Sequence, residues 1–305
     1  MDPYELRNKL NGVIALPETP FNADYALDLE GLRRNIRFLI KYPVCALVAG
    51  GGSGEFYTLT PEEHRAVLEA TVAEAAGKMP VIAAVGFNTE MASEMARQAE
   101  TQGASGILVF PPYYTNAVDE GIVDYYTRVA AAAPRLGQIV YTRDWLALSS
   151  GQVERLSKIP NMMALQDGQG DIRRLQTIKA RLGDRLHWIG GAGDDMLPAY
   201  LALGMRSYTS SIVGIAPRLA LQLHDRGCAL DSPSVARLML NYVIPLYNIR
   251  ARRRGYEVAV IKACMQILGL AAGPVRPPLV PVRPEEENEL RSLMERYQPV
   301  LSPLE

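Results

Sequence analysis

Short apolar runs alternate with longer amphipathic stretches through the first three quarters of this 305-residue chain. A short apolar run between turn residues predicts a buried β-strand, whereas apolar positions three or four residues apart predict a helix. The predicted strands cover residues 12–16, 45–49, 80–85, 106–110, 138–141, 162–165, 186–189 and 207–211.

Helical patterns lie between and after these runs. They cover residues 29–41, 61–76, 89–103, 119–133, 151–158, 171–181, 194–203 and 217–227, with three more at 232–253, 256–269 and 284–298. Thr60 followed by Pro61 and two glutamates is typical of a helix start, and Ser150 is expected to cap its helix similarly. Eight strand–helix units in series predict an α/β fold, a closed (β/α)8 TIM barrel with a C-terminal helical extension.

Composition excludes several classes of protein. Hydrophobic residues make up 48% of the chain and the net charge is −1, so neither nucleic acid nor an anionic membrane is expected as a partner. Three cysteines and three histidines without metal-ligand spacing predict no metal site and suit a reducing, cytoplasmic compartment. The chain shows no signal-peptide pattern and no apolar run of about 18 residues.

Three motifs carry a resemblance to a known family. They are NMMALQDGQGD at 161–171, RGYEVAVIKA at 254–263 and GPVRPP at 273–278. Together they resemble the dihydrodipicolinate synthase/N-acetylneuraminate lyase superfamily, nearest to 5-dehydro-4-deoxyglucarate dehydratases. The resemblance implies a barrel, here residues 1–228, with three C-terminal helices at 229–305. It also implies a homo-oligomer, commonly a tetramer built as a dimer of dimers.

Gln166 stands where members of that superfamily carry the lysine that forms a Schiff base with a 2-keto acid. The nitrogen of an amide has no nucleophilic lone pair and cannot form an iminium. The remaining lysines do not provide a substitute, because five lie on predicted surface helices or their ends and Lys262 is expected to be structural. The chemistry of the family is therefore expected to have changed.

A Gly-rich turn after the second strand is a candidate anion site. Consecutive glycines at 50–52 let backbone N–H groups approach a carboxylate, and Ser53 adds a hydroxyl donor. Gly52 and Ser53 match the pair that holds the keto-acid carboxylate in the superfamily. The structural alternative is a plain strand-to-helix turn.

Aromatic and basic residues follow the fourth and fifth strands. Tyr141 matches the superfamily tyrosine that relays protons, and Arg143 could hold a carboxylate in a bidentate fork. Thr142 replaces the asparagine usual in the dehydratases. Tyr113 or Tyr114 matches a tyrosine that often completes the site of a neighbouring subunit; Tyr114 is the preferred candidate. The alternatives are a buried ring with a satisfied hydroxyl for Tyr141 and interface packing alone for the pair.

The eighth and first strands supply the last candidates. Ser210 and Ser211 suit a polar substrate tail, and Gly214 falls where the dehydratases can carry asparagine. Glu18 stands where the family is usually apolar; strand alternation with Leu16 would turn it into the barrel, where burial raises the pKa of a carboxyl. The alternative is a strand-end glutamate turned into water. His64 is expected on the solvated face of its helix.

Three functions remain open. The first is a diverged lyase or dehydratase, a carbon–oxygen lyase if active, that binds a 2-keto acid or sugar-acid carboxylate without a Schiff base and needs no cofactor. Its acid/base groups would be Tyr141 with Glu18 or Tyr114. The second is a non-catalytic paralogue that binds a ligand or partner. The third is an ordinary 5-dehydro-4-deoxyglucarate dehydratase with an engineered Gln166, which the further differences at 18, 142 and 214 disfavour.

Overall fold

Eight parallel strands in the described residues form a closed barrel, with neighbours in chain order from first to last. The structure, a computed structural model, describes residues 1–113, 117–143 and 145–301. The strands are β1 Gly12–Ala15, β2 Ala46–Ala49, β3 Val81–Val85, β4 Gly106–Val109, β5 Gly137–Tyr141, β6 Met162–Asp167, β7 His187–Gly190 and β8 Ser207–Ser210. All eight predicted strands are present, and the predicted barrel is confirmed. Nearly every strand residue is buried, as expected of parallel strands covered on both faces.

One helix of the described residues precedes β1, and the others follow the strands and continue beyond the last one. They are α1 Pro3–Lys9, α2 Leu29–Leu39, α3 Pro61–Ala75, α4 Thr89–Thr101, α5 Asp119–Ala132, α6 Ser150–Leu156, α7 Ile172–Leu182, α8 Leu197–Ala202, α9 Pro217–Cys228, α10 Ser232–Leu238, α11 Ile244–Arg250, α12 Tyr256–Ile267 and α13 Pro284–Arg296. Within the described ranges, no helix is both long and apolar enough to cross a membrane.

Local capping explains where several helices begin. Thr60 and Glu63 form a capping box at the start of α3, as predicted. The cap of α6 is Ser149 rather than Ser150. The Ser149 hydroxyl accepts from the Gln152 N–H, and the Gln152 side-chain oxygen accepts from the Ser149 N–H. The sequence prediction was one residue late at this point.

The structure differs from the sequence prediction at two helices. Asp2 caps α1 and Pro3 opens it, although no helix was predicted there. The single predicted helix 232–253 is instead α10, a wider π-helical turn over Met239–Val243 and α11, with Pro245 in the first turn of α11. Proline lacks an N–H to bond the preceding turn, so it suits a helix start better than a helix interior.

The first of two compact units comprises Met1–Asn11 and Pro80–Thr209. Strands β3 to β8 pair in parallel there, and the register sets Tyr141 beside Gln166 and Gln166 beside Ile189. The carboxyl ends of β5 and β6 therefore present neighbouring side chains. This pairing places Tyr141, the predicted proton-relay tyrosine, next to Gln166.

The second unit comprises Gly12–Met79 and Ser210–Glu305. Strands β1 and β2 pair in parallel, with Ile14 beside Ala46. Helices α2, α3 and α9 to α13 also belong to this unit. The predicted division into a barrel of residues 1–228 and an extension of 229–305 stays a prediction.

Candidate functional site

Gln166 lies near the end of β6 and is only 3% exposed. Its Nε2 donates to Thr209 Oγ1 at 3.4 Å. Its main-chain oxygen accepts from the Thr142 N–H at 3.0 Å and from the Thr142 hydroxyl at 3.3 Å. A Cβ on Gly191 would stand 2.6 Å from Gln166 Nε2. The glycine just after β7 thus makes room for this amide, which contacts the hydroxyl of Thr209.

Asp167, the next residue, holds the loop that follows β6. Its carboxylate accepts from the Tyr200 hydroxyl at 2.8 Å and from the N–H groups of Gln169 and Gly170 at 3.2 and 3.1 Å. Burial, and then the charge of Asp167, raise the pKa of Tyr200 far above its usual range, so this phenol stays a donor. Sequence reasoning singled out neither residue. The Asp-Gly pair after a buried strand was the available signal.

Tyr141 and Arg143 contact each other directly. The Tyr141 ring is buried and meets the edge of Phe110 at 5.1 Å between centroids. Arg143 Nη1 donates to the Tyr141 hydroxyl oxygen at 3.0 Å, which leaves the phenolic hydrogen available for another acceptor. The contact is compatible with a proton relay and with the structural alternative of a satisfied buried hydroxyl. Tyr114 lies outside the described residues.

The Gly-rich loop of residues 50–54 is an ordered turn. The N–H groups of Glu55 and Phe56 donate to the carbonyl oxygens of Gly52 and Gly51 at 3.1 and 3.2 Å. Gly50 has a φ of 61°, which suits glycine. Gly52 and Ser53 are partly exposed, so a ligand can approach both residues of the predicted carboxylate-binding pair.

Glu18 is 1% exposed, so the alternative of a glutamate turned into water is wrong. The alternation argument is also wrong, because β1 ends at Ala15 and Glu18 lies beyond the strand. Burial arises instead because the segment that follows, including Thr19, stays inside the molecule. A Cβ on Gly214 would stand 2.6 Å from Glu18 Oε2. The carboxyl group thus occupies the space that a side chain at position 214 would need.

Ser210 and Ser211 both have protein partners for their hydroxyls. Ser210 Oγ accepts from the Val213 N–H at 3.0 Å and so shapes the turn that leads to Gly214. Ser211 Oγ accepts from Arg250 Nη1 at 3.0 Å. Their contact with a polar substrate tail stays a prediction, while their structural roles are clear.

His64 was expected on a solvated face and is instead 5% exposed. Its ring meets Phe56 at 5.7 Å between centroids, and a Cβ on Gly50 would stand 3.3 Å from its Cδ2. The first turn of α3 therefore packs on the Gly-rich loop and excludes water from this histidine. In the part of the chain that the structure describes, no group of three or more His, Cys, Asp or Glu residues could hold a metal ion.

Comparison with known proteins identifies the family. A model of the dihydrodipicolinate synthetase family matches residues 9–297. A protein of Saccharopolyspora erythraea, named "Probable 5-dehydro-4-deoxyglucarate dehydratase", is 40% identical over 296 residues, which is 96% of both chains. A protein of Ralstonia nicotianae with the same name is 37% identical over 302 residues, covering 98% of this chain and 97% of its own.

A solved structure shows the same fold along almost the whole chain. Dihydrodipicolinate synthase from Oceanobacillus iheyensis superposes with a TM-score of 0.92 and 25% identity, covering 98% of this chain and 100% of its own. This chain therefore belongs to the dihydrodipicolinate synthetase family, with close similarity to 5-dehydro-4-deoxyglucarate dehydratases.

Proposed function

We propose that this protein is a diverged lyase or dehydratase that binds a 2-keto acid or sugar-acid carboxylate without forming a Schiff base. The observation that carries the proposal is the buried amide of Gln166 where the family resemblance places the imine-forming lysine. The names of the relatives from Saccharopolyspora erythraea and Ralstonia nicotianae support a sugar acid as the substrate class.

In this proposal, Gln166 acts through its N–H group. A carboxamide can donate a hydrogen bond to the oxygen of a 2-keto group and stabilise negative charge that develops there. The contact with Thr209 and the fit over Gly191 orient the amide before a ligand arrives. Preorganised donors of this kind stabilise a transition state without covalent bonding to the substrate.

The acid/base groups in the proposal are Tyr141 and Glu18. Because the Tyr141 oxygen accepts from Arg143, its hydrogen can be directed to a substrate oxygen. Glu18 is a buried carboxyl group after β1, and active sites of (β/α)8 barrels lie at the carboxyl ends of the strands. The backbone of Gly52 and the hydroxyl of Ser53 would bind the carboxylate.

The fit between Glu18 and Gly214 favours a rebuilt site over a single engineered change. A side chain at position 214 would overlap the Glu18 carboxylate, so these two positions are adapted to each other. An engineered replacement of one catalytic lysine does not require such a pair.

Borohydride treatment in the presence of pyruvate, followed by intact-mass measurement, tests this proposal. We expect no added mass on this protein, because an amide cannot form the iminium that borohydride reduces. The variant Gln166→Lys is the matched control, since it returns an amine to the same position. A stable adduct on the unaltered protein, mapped by peptide analysis to the buried Lys262, would contradict the proposal.

A further inference from the structure

A buried ion pair in the second unit directly follows the Gly-rich loop of residues 50–54. Glu55 is 0% exposed and Lys262, on α12, is 2% exposed. Lys262 Nζ lies 2.5 Å from Glu55 Oε1, donates to the Pro274 carbonyl oxygen at 2.9 Å and stands 4.2 Å from the centroid of the Phe21 ring. The ammonium group is thus surrounded by a carboxylate, a carbonyl oxygen and an aromatic face.

Glu55 is fixed by its main chain as well as by its carboxylate. Its φ of 57° lies in the left-handed region, which is unfavourable for a residue with a side chain. Its N–H donates to Gly52 O at 3.1 Å, and its carbonyl accepts from the Thr58 N–H at 2.8 Å. The second carboxylate oxygen accepts from the Arg276 N–H at 2.9 Å. The loop therefore ends at an anchored residue.

Opposing electrostatic effects act on the lysine. Burial lowers the pKa of Lys262, and the charge of Arg276 acts in the same direction. The charge and hydrogen bond of Glu55, together with the charge of Glu18, act in the opposite direction and favour the ammonium form. A charged lysine cancels the negative charge of Glu55 at the end of the loop.

We propose that Lys262 is a positioning residue that acts through Glu55 on the carboxylate-binding loop. It holds the loop in its binding conformation and neutralises a carboxylate that would repel an anionic ligand. The inference rests on the proposed carboxylate site at Gly52 and Ser53. It makes α12, which is far along the chain, a determinant of ligand affinity.

The first test compares Lys262→Met with the double variant Lys262→Met/Glu55→Gln. Pyruvate affinity is measured by calorimetry across a pH series. We expect Lys262→Met to weaken binding by about tenfold at pH 8, because the charge of the Glu55 carboxylate is then no longer neutralised by the ammonium group and repels the bound anion. Binding should strengthen as the pH falls, because protonation of the Glu55 carboxyl group removes the negative charge that repels the anion.

The double variant should recover most of the affinity and lose this pH dependence. If Lys262 were only structural, the pyruvate affinity of Lys262→Met would show no pH dependence that Glu55→Gln abolishes. The matched control is Ile261→Ala, which removes a fully buried side chain from the same helix without changing charge. It should lower the melting temperature and leave pyruvate affinity unchanged. A pH-independent loss of affinity in Lys262→Met that Ile261→Ala reproduces would overturn the proposal.

Amide hydrogen exchange of the peptide 50–58 provides a measurement that needs no ligand. We expect faster exchange in Lys262→Met than in Ile261→Ala at temperatures well below unfolding. If the unaltered protein fails to bind pyruvate, the proposed carboxylate site fails, while the exchange rates still decide whether Lys262 positions the loop. If Lys262→Met does not fold, Glu55→Gln replaces it in this measurement. Unchanged exchange of peptide 50–58 in Glu55→Gln would then refute the proposal that the ion pair positions the loop.

Discussion

Glu18 and Gly214 form a matched pair at the residue scale. The Glu18 carboxylate is buried and fills the position that a Cβ on Gly214 would approach to 2.6 Å. That separation is shorter than any ordinary contact between a carbon and an oxygen atom. With the Glu18 carboxylate in this position, a side chain at position 214 fits only if the carboxylate moves.

We predict that Gly214→Ala destabilises the protein and that Glu18→Ala relieves much of the effect. Overpacking a buried position costs about 1–3 kcal/mol. The coupling free energy between the two changes should be on the order of 1 kcal/mol, obtained from urea unfolding of both single variants and the double variant.

The control for this cycle is Gly121→Ala on α5, where an added Cβ meets nothing within 4 Å. That change should stabilise the protein by about 0.5–1 kcal/mol, because alanine is the better helix former. Additive effects of Gly214→Ala and Glu18→Ala would show that the two residues are not coupled.

The sequence identified Glu18 as unusual but could not supply its surroundings. The same limit applies to Lys262 and His64, whose burial depends on residues outside their own helices. A lysine on a helix and a histidine in a first turn are more often solvated, so local pattern favoured the wrong environment for His64. Residue types were therefore predictable, whereas their partners required the folded structure.

At the element scale, α1, β7 and β8 meet through His187 in the first unit. His187 Nε2 lies 2.7 Å from Ser207 Oγ, and the Ser207 hydroxyl donates to the Leu10 carbonyl oxygen just after α1. Burial lowers the pKa of His187 from 6.5 to about 4, with a smaller contribution in the same direction from Arg7 and an opposing one from its bond to Leu10. Burial therefore favours the neutral imidazole at the contact between these elements.

We predict that His187→Gln makes the protein less sensitive to acid. The pKa of His187 is lower in the folded state than in the unfolded chain. The stabilising contribution of His187 is therefore present above about pH 6.5 and is lost as the pH falls toward about 4. Urea unfolding should show a larger loss of stability between pH 7 and pH 5 in the unaltered protein than in the variant. Between pH 7 and pH 9, where histidine does not titrate, the difference between the two proteins should stay constant. An equal loss at pH 5 would refute this prediction.

Element types were easier to predict than element limits. Short apolar runs predicted every strand, while α1 was missed because seven residues carry little periodic signal. Ser149 and Ser150 are both suitable caps, and only the hydrogen bonds to Gln152 distinguish them. The stretch 232–253 kept its helical period across the π-helical turn, so sequence pattern alone did not reveal the interruption.

At the scale of the whole molecule, topology followed from the order of strands and helices. Eight strand–helix units allow a closed parallel barrel, and the carboxyl ends of its strands are where function is expected. The sequence predicted which strand ends carry the candidate residues, but it did not predict the contacts between their side chains. The bond between Tyr141 and Arg143 and the fit of Gln166 over Gly191 required coordinates. Assembly into a dimer or tetramer stays a prediction.

The last prediction distinguishes loss of one nucleophile from a site rebuilt as a whole. In the variant Gln166→Lys, an amine returns to a buried position beside Thr209. We expect little or no dehydration of 5-dehydro-4-deoxyglucarate. The Thr142 hydroxyl contacts the main chain of Gln166 and Gly168, at the position where asparagine is expected in the dehydratases. Gly214 lacks a polar side chain, and Glu18 occupies its space. One substitution restores none of these groups.

Removal of a catalytic nucleophile from an intact site can cost about a million-fold in rate, so restoring it there should recover a large part of that factor. Adding Glu18→Val, Thr142→Asn and Gly214→Asn to Gln166→Lys should therefore give more activity than the single change, measured as substrate consumption under identical conditions. Activity of Gln166→Lys alone within about tenfold of a lysine-bearing dehydratase would show that only the nucleophile had been lost. The remaining residues of the site would then be those of an ordinary dehydratase, and Glu18 would have no part in altered chemistry.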